Sequence, residues 1–273
     1  MLVWADGQSG TIGGGRLEFD AVKMARKNIE RQIVSSAKSV PLGPELGQCC
    51  GGAVTLSFEL FSDPALTLSF PYAHPVMAAL SPSAAVEEVI ARGVTAPTLV
   101  DDWLVEPRTA PSQKLWIWGA GHVGRALVHI LSPVQDIEIT WIDTAADRFP
   151  QDVPGTVQQA IAADPPRLMP HAPSVAHHLI VTYSHEIDLA LCHAALSHSF
   201  QTCGLIGSAT KWARFRKRLQ QLGHSDAQIS RIMCPIGDPA LGKHPQAIAI
   251  GVAARLLDSQ TLKESANIAS GGT

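Results

Sequence analysis

Two segments of the sequence hold residue types at spacings that can do chemistry. Gly47-Gln48-Cys49-Cys50-Gly51-Gly52 sets two thiols side by side in a glycine frame. Neighbouring side chains of a regular strand point to opposite faces, so both thiols cannot enter one core. The glycines let the backbone turn and leave room for a ligand. A thiolate is a soft metal ligand and a good sulfur acceptor, which makes Cys49 and Cys50 the candidate metal and cofactor ligands. A four-Cys zinc site is disfavoured, because there is no CxxC pair and Cys192, Cys203 and Cys234 lie far away in sequence. The plainer alternative is one small buried Cys beside an incidental thiol.

The second segment, Gly119-Ala120-Gly121-His122-Val123-Gly124, follows an apolar strand pattern and opens a helical one. Asp143 ends the next apolar strand pattern. In a dinucleotide-binding turn the first Gly makes the bend, the second lets a pyrophosphate approach the backbone, and the third lets helix and strand pack closely. The helix N-terminus then offers N–H groups to phosphates, and Asp143 is placed to accept from a ribose hydroxyl. Gly119, Gly121, His122, Gly124 and Asp143 are therefore candidate contacts to a nucleotide or dinucleotide. The same residues also suit a Rossmann shell that binds none, since a fold does not fix a function.

Other residues divide between a ligand role and an architectural one. His185, Glu186 and Asp188 follow a strand end, where ligands gather in open α/β sheets, but Ser184 as a cap with acids in the first helical turn explains them equally well. Ser208 and Thr210 with Lys211 suit a phosphate at a helix start, or an ordinary Ser cap with a solvated Lys. Cys203 and Cys234 each precede a glycine turn and read as buried strand-end thiols, and Cys192 as core. Arg214, Arg216, Lys217 and Arg218 read as a solvated helix face, with a docking surface for an acidic partner as the minority reading. His177 and His178 read as loop residues at a strand start.

These candidates require elements to position them. The C-terminal part alternates strand and helix patterns: strands at 115–118, 137–142, 179–182 and 202–206, helices at 123–131, 187–196 and 212–222, the last with Trp212, Phe215, Leu219 and Leu222 on one side. Serial βα units predict a mainly parallel, doubly wound Rossmann-like sheet covered on both faces. Ser225 and Gln228 form a capping box, and Pro245 opens a last helix through Leu257. The N-terminal part reads as a smaller α+β domain, with strands at 2–4 and 11–12 about Asp6-Gly7. A helix follows over Leu17 to Ile33, then a half-buried strand over Val54 to Leu60 and a helix over Ala84 to Ala91. The stretch from Val105 to Lys114, with two prolines and no apolar period, reads as a linker. The expected organisation is thus an N-terminal domain over 1–108, a Rossmann-like domain over 109–258 and a fraying tail over 259–273.

Composition narrows the function classes. The chain has 273 residues, 46% hydrophobic and 16% charged, which fits a folded protein and excludes a disordered one. A net charge of −3 disfavours a whole-protein grip on nucleic acid. No apolar run reaches the roughly 18 residues of a membrane span, and the start MLVWADG lacks the pattern of a secretory leader. Five Cys, an odd number with two adjacent, do not form a disulfide framework and point to a reducing, cytoplasmic setting.

The motifs together resemble the XdhC/CoxI family of xanthine dehydrogenase accessory proteins. The resemblance rests on Gly10-Thr-Ile-Gly-Gly-Gly-Arg-Leu-Glu18, Gly47-Gln-Cys-Cys-Gly-Gly52 and Trp118-Gly-Ala-Gly-His-Val-Gly124. It continues through Val181-Thr-Tyr-Ser-His-Glu-Ile-Asp188, Gly204-Leu-Ile-Gly-Ser-Ala-Thr-Lys211, Cys234-Pro-Ile-Gly237 and Lys243-His-Pro245. It implies a non-catalytic chaperone of the molybdenum cofactor (molybdopterin). Such a protein protects the cofactor while a cysteine desulfurase replaces an oxo ligand with sulfur, then inserts it into a xanthine dehydrogenase-type apoenzyme. It also implies a homodimer and a C-terminal Rossmann domain. Family members differ from this chain in having a further strand and helix before the position of Met1, a second His where Tyr183 stands, and another form of the loop Gly237–Gly242. Two other readings of the same residues are a dinucleotide-dependent oxidoreductase using Cys49 or Cys50, and a dinucleotide-binding redox sensor.

Overall fold

A computed structural model describes residues 1–43, 51–61, 71–76, 81–107 and 113–270, with side chains through 258. Cys49 and Cys50 lie outside the described residues. The chain divides into two compact units, Met1–Thr109 and Ala110–Thr273.

The N-terminal unit opens with a hairpin of β1 (Leu2–Val3) and β2 (Gln8–Ser9). The second strand therefore precedes the expected 11–12, because Thr11 and Ile12 serve another purpose. Their hydroxyl and N–H groups, with the N–H of Gly14 and the amide of Gln8, donate to the Glu18 carboxylate. Positive φ at Gly13, Gly14 and Gly15 (116, 76 and 67°) bends the loop around that carboxylate, which is why glycines stand there. Helix α1 (Gly15–Glu30) follows and ends short of Ile33.

Strands β3 (Ser35–Pro41) and β4 (Ala53–Glu59) pair antiparallel from Ser35↔Glu59 to Pro41↔Ala53. A three-stranded antiparallel sheet has the order β5 (Tyr72–Pro75), β7 (Trp103–Glu106), β6 (Thr98–Val100). Helix α2 (Ala84–Arg92) is capped by Ser83. The imidazole of buried His74 lies between Glu59 and Glu106, at 3.7 and 3.4 Å, and stacks on Tyr72. These contacts, with the Tyr72 hydroxyl donating to Glu59, tie β4 to the three-stranded sheet. Strand β7 also takes the first residues of the expected linker: Val105 is fully buried rather than exposed.

In the C-terminal unit six parallel strands have the order β10-β9-β8-β11-β12-β13. They are β8 (Gln113–Trp118), β9 (Ile137–Asp143), β10 (Val157–Ile161), β11 (His177–Ile180), β12 (Thr202–Leu205) and β13 (Ile232–Met233). The connecting helices are α3 (His122–Leu131), α4 (His185–Leu196), α5 (Ala209–Gln221) and α6 (Asp226–Ile229), the last with the expected capping box. Period-2 alternation fills both faces of the sheet. Leu115, Ile117, Ile139 and Trp141 join α3 and α7 in one cluster, while Trp118, Ile142 and Ile180 join α4 and α5 in another. Helix α7 (Pro245–Ser270) begins at Pro245 and continues past Leu257 through the stretch expected to fray. Leu222 falls beyond α5 and is half exposed, not on its inner side. Among the described residues no helix is long and apolar enough to cross a membrane.

His177 and His178 are buried strand residues rather than loop residues. His178 Nδ1 accepts from Trp118 Nε1 at 3.2 Å, and among the described residues its Nε2 has no hydrogen-bond partner. Burial among aromatic rings, with help from His198 and His177, pushes the His178 imidazole down to about 4. It is neutral in the fold, whereas the unfolded chain takes up a proton near the ordinary value of about 6.5. His178 therefore contributes stability above that value, which is lost as pH falls from about 6.5 through about 4. Replacing His178 by Gln, which keeps an acceptor for Trp118, should remove about 2–3 kcal/mol of the stability loss between pH 7.5 and 4.5. Urea denaturation of both proteins at the two pH values checks this.

Candidate functional site

The strand order reverses between β8 and β11, so the carboxyl ends of these neighbours frame the crevice where open α/β sheets bind ligands. The glycine turn sits there because nothing larger fits. A Cβ on Gly119 (φ 120°) would lie 2.5 Å from the Val181 carbonyl oxygen, and one on Gly124 would overlap the Gly119 carbonyl oxygen. Gly121 is different. It is the N-cap of α3 with extended backbone, and a Cβ there meets no atom within 4 Å. Close packing requires the first and third glycines, while the second leaves open space above a helix start that has no side-chain cap.

Asp143 ends β9 with its side chain 2% exposed. Its Oδ2 accepts from Ala120 N at 2.5 Å, and its Oδ1 accepts from Thr144 N at 2.6 Å and Thr144 Oγ1 at 3.1 Å. Arg148 Nε lies 2.7 Å from Oδ1. The carboxylate thus braces the glycine turn and is already charge-paired, with two donors and the Arg148 cation at Oδ1 and one donor at Oδ2. The Arg148 guanidinium sits 4.0 Å above the Tyr183 ring, a cation–π contact between the segments that follow β9 and β11. Arg125 donates to the carbonyls of Ala120 and Arg148 at 3.0 and 2.8 Å. Two guanidinium groups therefore flank the turn. The cavity between Gly119 and Thr182 is only about 10 Å³, room for about one water.

The other candidates belong to a second network along the same edge. Asp188, fully buried, accepts from Thr182 N and Oγ1 and pairs with Lys211 Nζ at 2.5 Å. Lys211 Nζ also donates to the Ile206 carbonyl at 2.9 Å, and its side chain is 10% exposed. Lys211 is thus neither solvated nor free for a phosphate: it joins the ends of β11 and β12 to α4. Ser208 caps α5 through Lys211 N, and Ser184 caps α4. His185, the exposed first residue of α4, meets Phe215 edge-on at 6.4 Å. His122, the exposed first residue of α3, stands beside the glycine turn. Burial raises the Cys203 thiol to about 12 and the Cys234 thiol to about 11, so both stay protonated at neutral pH. Cys192 is core, its thiol likewise raised by burial. Arg214, Arg216, Lys217 and Arg218 are exposed, with Arg216 near Asp226 at 3.5 Å.

The structure thus brings Gly119, Gly121, Gly124 and Asp143 into one turn, and sets His185 and Ser208 on the next two helix starts. The sequence reading missed Arg148 and Arg125. The signals were present: an Arg directly after the last glycine of the fingerprint, and another five residues beyond the strand-ending Asp143.

Gly124→Ala should destabilise by about 1–3 kcal/mol through overpacking, while Gly121→Ala should change stability by less than about 0.5 kcal/mol. Thermal melts of the two variants check the contrast. Lys211→Met should destabilise by about 3–5 kcal/mol, because it strands the buried Asp188 carboxylate; the same melts report it.

Residues 115–256 match the XdhC Rossmann domain family, and residues 1–35 match the XdhC and CoxI family. Among solved structures, a xanthine dehydrogenase from Bacillus halodurans aligns with a TM-score of 0.62 at 20% identity, over 92% of this chain and 82% of that one. A Rossmann-fold NAD(P)-binding family protein from Shigella flexneri aligns at 0.31 and 15% identity, over 41% of this chain and 63% of that one. A short-chain dehydrogenase/reductase from Veillonella parvula, in complex with NADP, aligns at 0.29 and 15%, over 52% and 63%. The first likeness is one of fold; the other two are too low to bear on ligand or chemistry. No curated protein matches the chain.

Proposed function

Because the chain belongs to the XdhC and CoxI family, we propose that it is a xanthine dehydrogenase accessory protein that carries the molybdenum cofactor as cargo. In this reading it shelters the cofactor while a cysteine desulfurase exchanges an oxo ligand for sulfur, then inserts it into the apoenzyme of a molybdenum hydroxylase. The family match at both ends of the chain carries the reading.

The chemistry of the site supports it. Asp143, Asp188 and Lys211 are each paired, and the remaining acid–base candidates, His122 and His185, stand exposed at helix starts. At this edge stand a helix start with open space above Gly121 and the Tyr183 ring, which the Asp143-paired Arg148 covers. An uncapped helix start of this kind holds an anion without transforming it. We assign a phosphate or nucleotide group to this turn. The soft contact to molybdenum is assigned to Cys49 and Cys50, on the chemistry of thiolates.

The test is to load the protein with cofactor released from a molybdenum hydroxylase, pass it through a desalting column, and measure molybdenum and pterin retained. The parent should retain both, and Cys49→Ser/Cys50→Ser should retain about tenfold less, a hydroxyl being a poor soft-metal ligand. Equal retention by the double variant would remove the thiols from the site. Steady NAD(P)-linked turnover by the protein alone, with an alcohol, aldehyde or purine, would replace the reading with an oxidoreductase.

A further inference from the structure

Helix α1 borders an open trough of about 780 Å³. Apart from Gln8 on the facing hairpin, its lining comes from one face of α1 and the C-cap Arg31. At about 1.5 Å per residue, 16 residues of α1 give it a length of about 24 Å. Lys23, Arg26, Lys27 and Arg31 lie along it, against only Glu18 and Glu30. The Glu18 carboxylate is already held by the glycine loop. None of the salt bridges among the described residues involves Lys23, Lys27 or Arg31. The whole chain carries more acid than base, 24 to 21, so this basic face is a local concentration. Within it Phe19 is 66% exposed, beside Val22.

We propose that this trough docks an acidic, amphipathic segment of a protein partner, with Phe19 meeting its apolar side and the four cations meeting its carboxylates. Charge complementarity selects the occupant. The shape decides between a peptide and a small anion. A small ligand needs a concavity that encloses roughly 70–90% of its surface, whereas a linear trough along one helix suits a helix or extended chain laid lengthwise. An accessory protein has to hold another protein, but the inference rests on the trough and not on the cofactor.

The test uses a fluorescein-labelled 16-residue amphipathic peptide with Glu on one face and Leu on the other, titrated with the full chain and followed by anisotropy. Its controls are the same peptide with Lys for Glu, and the variants Phe19→Ser and Lys23→Glu/Lys27→Glu. All three substituted positions are on the exposed trough, and circular dichroism checks each fold; Lys23→Gln/Lys27→Gln is the milder second variant. The acidic peptide should bind and the Lys peptide should not. The charge reversal should weaken binding at least about tenfold, and added salt should weaken it further. No binding of the acidic peptide up to about 1 mM, equal binding of the Lys peptide, or indifference to both substitutions would overturn the proposal. So would a dimer by light scattering that the reversal dissociates while no peptide binds: the trough would then belong to a second copy of this chain.

Discussion

The carboxylate of Asp143 holds the C-terminal unit's crevice in shape. Buried at the end of β9, it reaches sideways to the neighbouring strand's turn and accepts the Ala120 N–H, and it keeps Arg148 where the guanidinium can cover Tyr183. An isolated buried carboxylate is strongly unfavourable, so this one is stable only with its donors in place. The turn is equally constrained from the other side, where the Gly119 backbone packs on Val181 and α3 approaches through Gly124. Turn, strand end and cation thus specify one another.

A few residues further along the same edge, Asp188 and Lys211 repeat the device with the pair reversed in origin. The acid comes from the first turn of α4 and the base from α5. Both networks place charge at the carboxyl edge while neutralising it locally. The edge therefore presents backbone N–H groups, hydroxyls, one covered aromatic ring and the exposed imidazoles of His122 and His185.

The alternation of Leu115, Ile117, Ile139 and Trp141 against Trp118 and Ile142 made the Rossmann unit legible, since a parallel sheet buried on both faces leaves little other use for such runs. The glycine turn was legible from spacing. Not legible was which charged groups would find each other. Lys211 and Asp188 stand 23 positions apart and meet only because β11 and β12 are neighbours. His177 and His178 looked polar enough for a loop, yet tertiary packing enclosed them. Strands β3, β5 and β6 carry no clear period: β5 buries a single residue, His74, and no residue of β3 or β6 is fully buried.

The glycine loop around Glu18 has a consequence for how this part of the chain opens. The donors come from Gln8, Thr11, Ile12 and Gly14, and the acceptor from the first turns of α1. Each half orders the other: without Glu18 the loop N–H groups turn to water, and the helix start loses the negative charge its dipole favours. The segment from the second strand of the hairpin to the first turns of α1 is therefore one cooperative unit. The amides of Ile12 and Gly14, which share the Glu18 acceptor, should therefore exchange with solvent together.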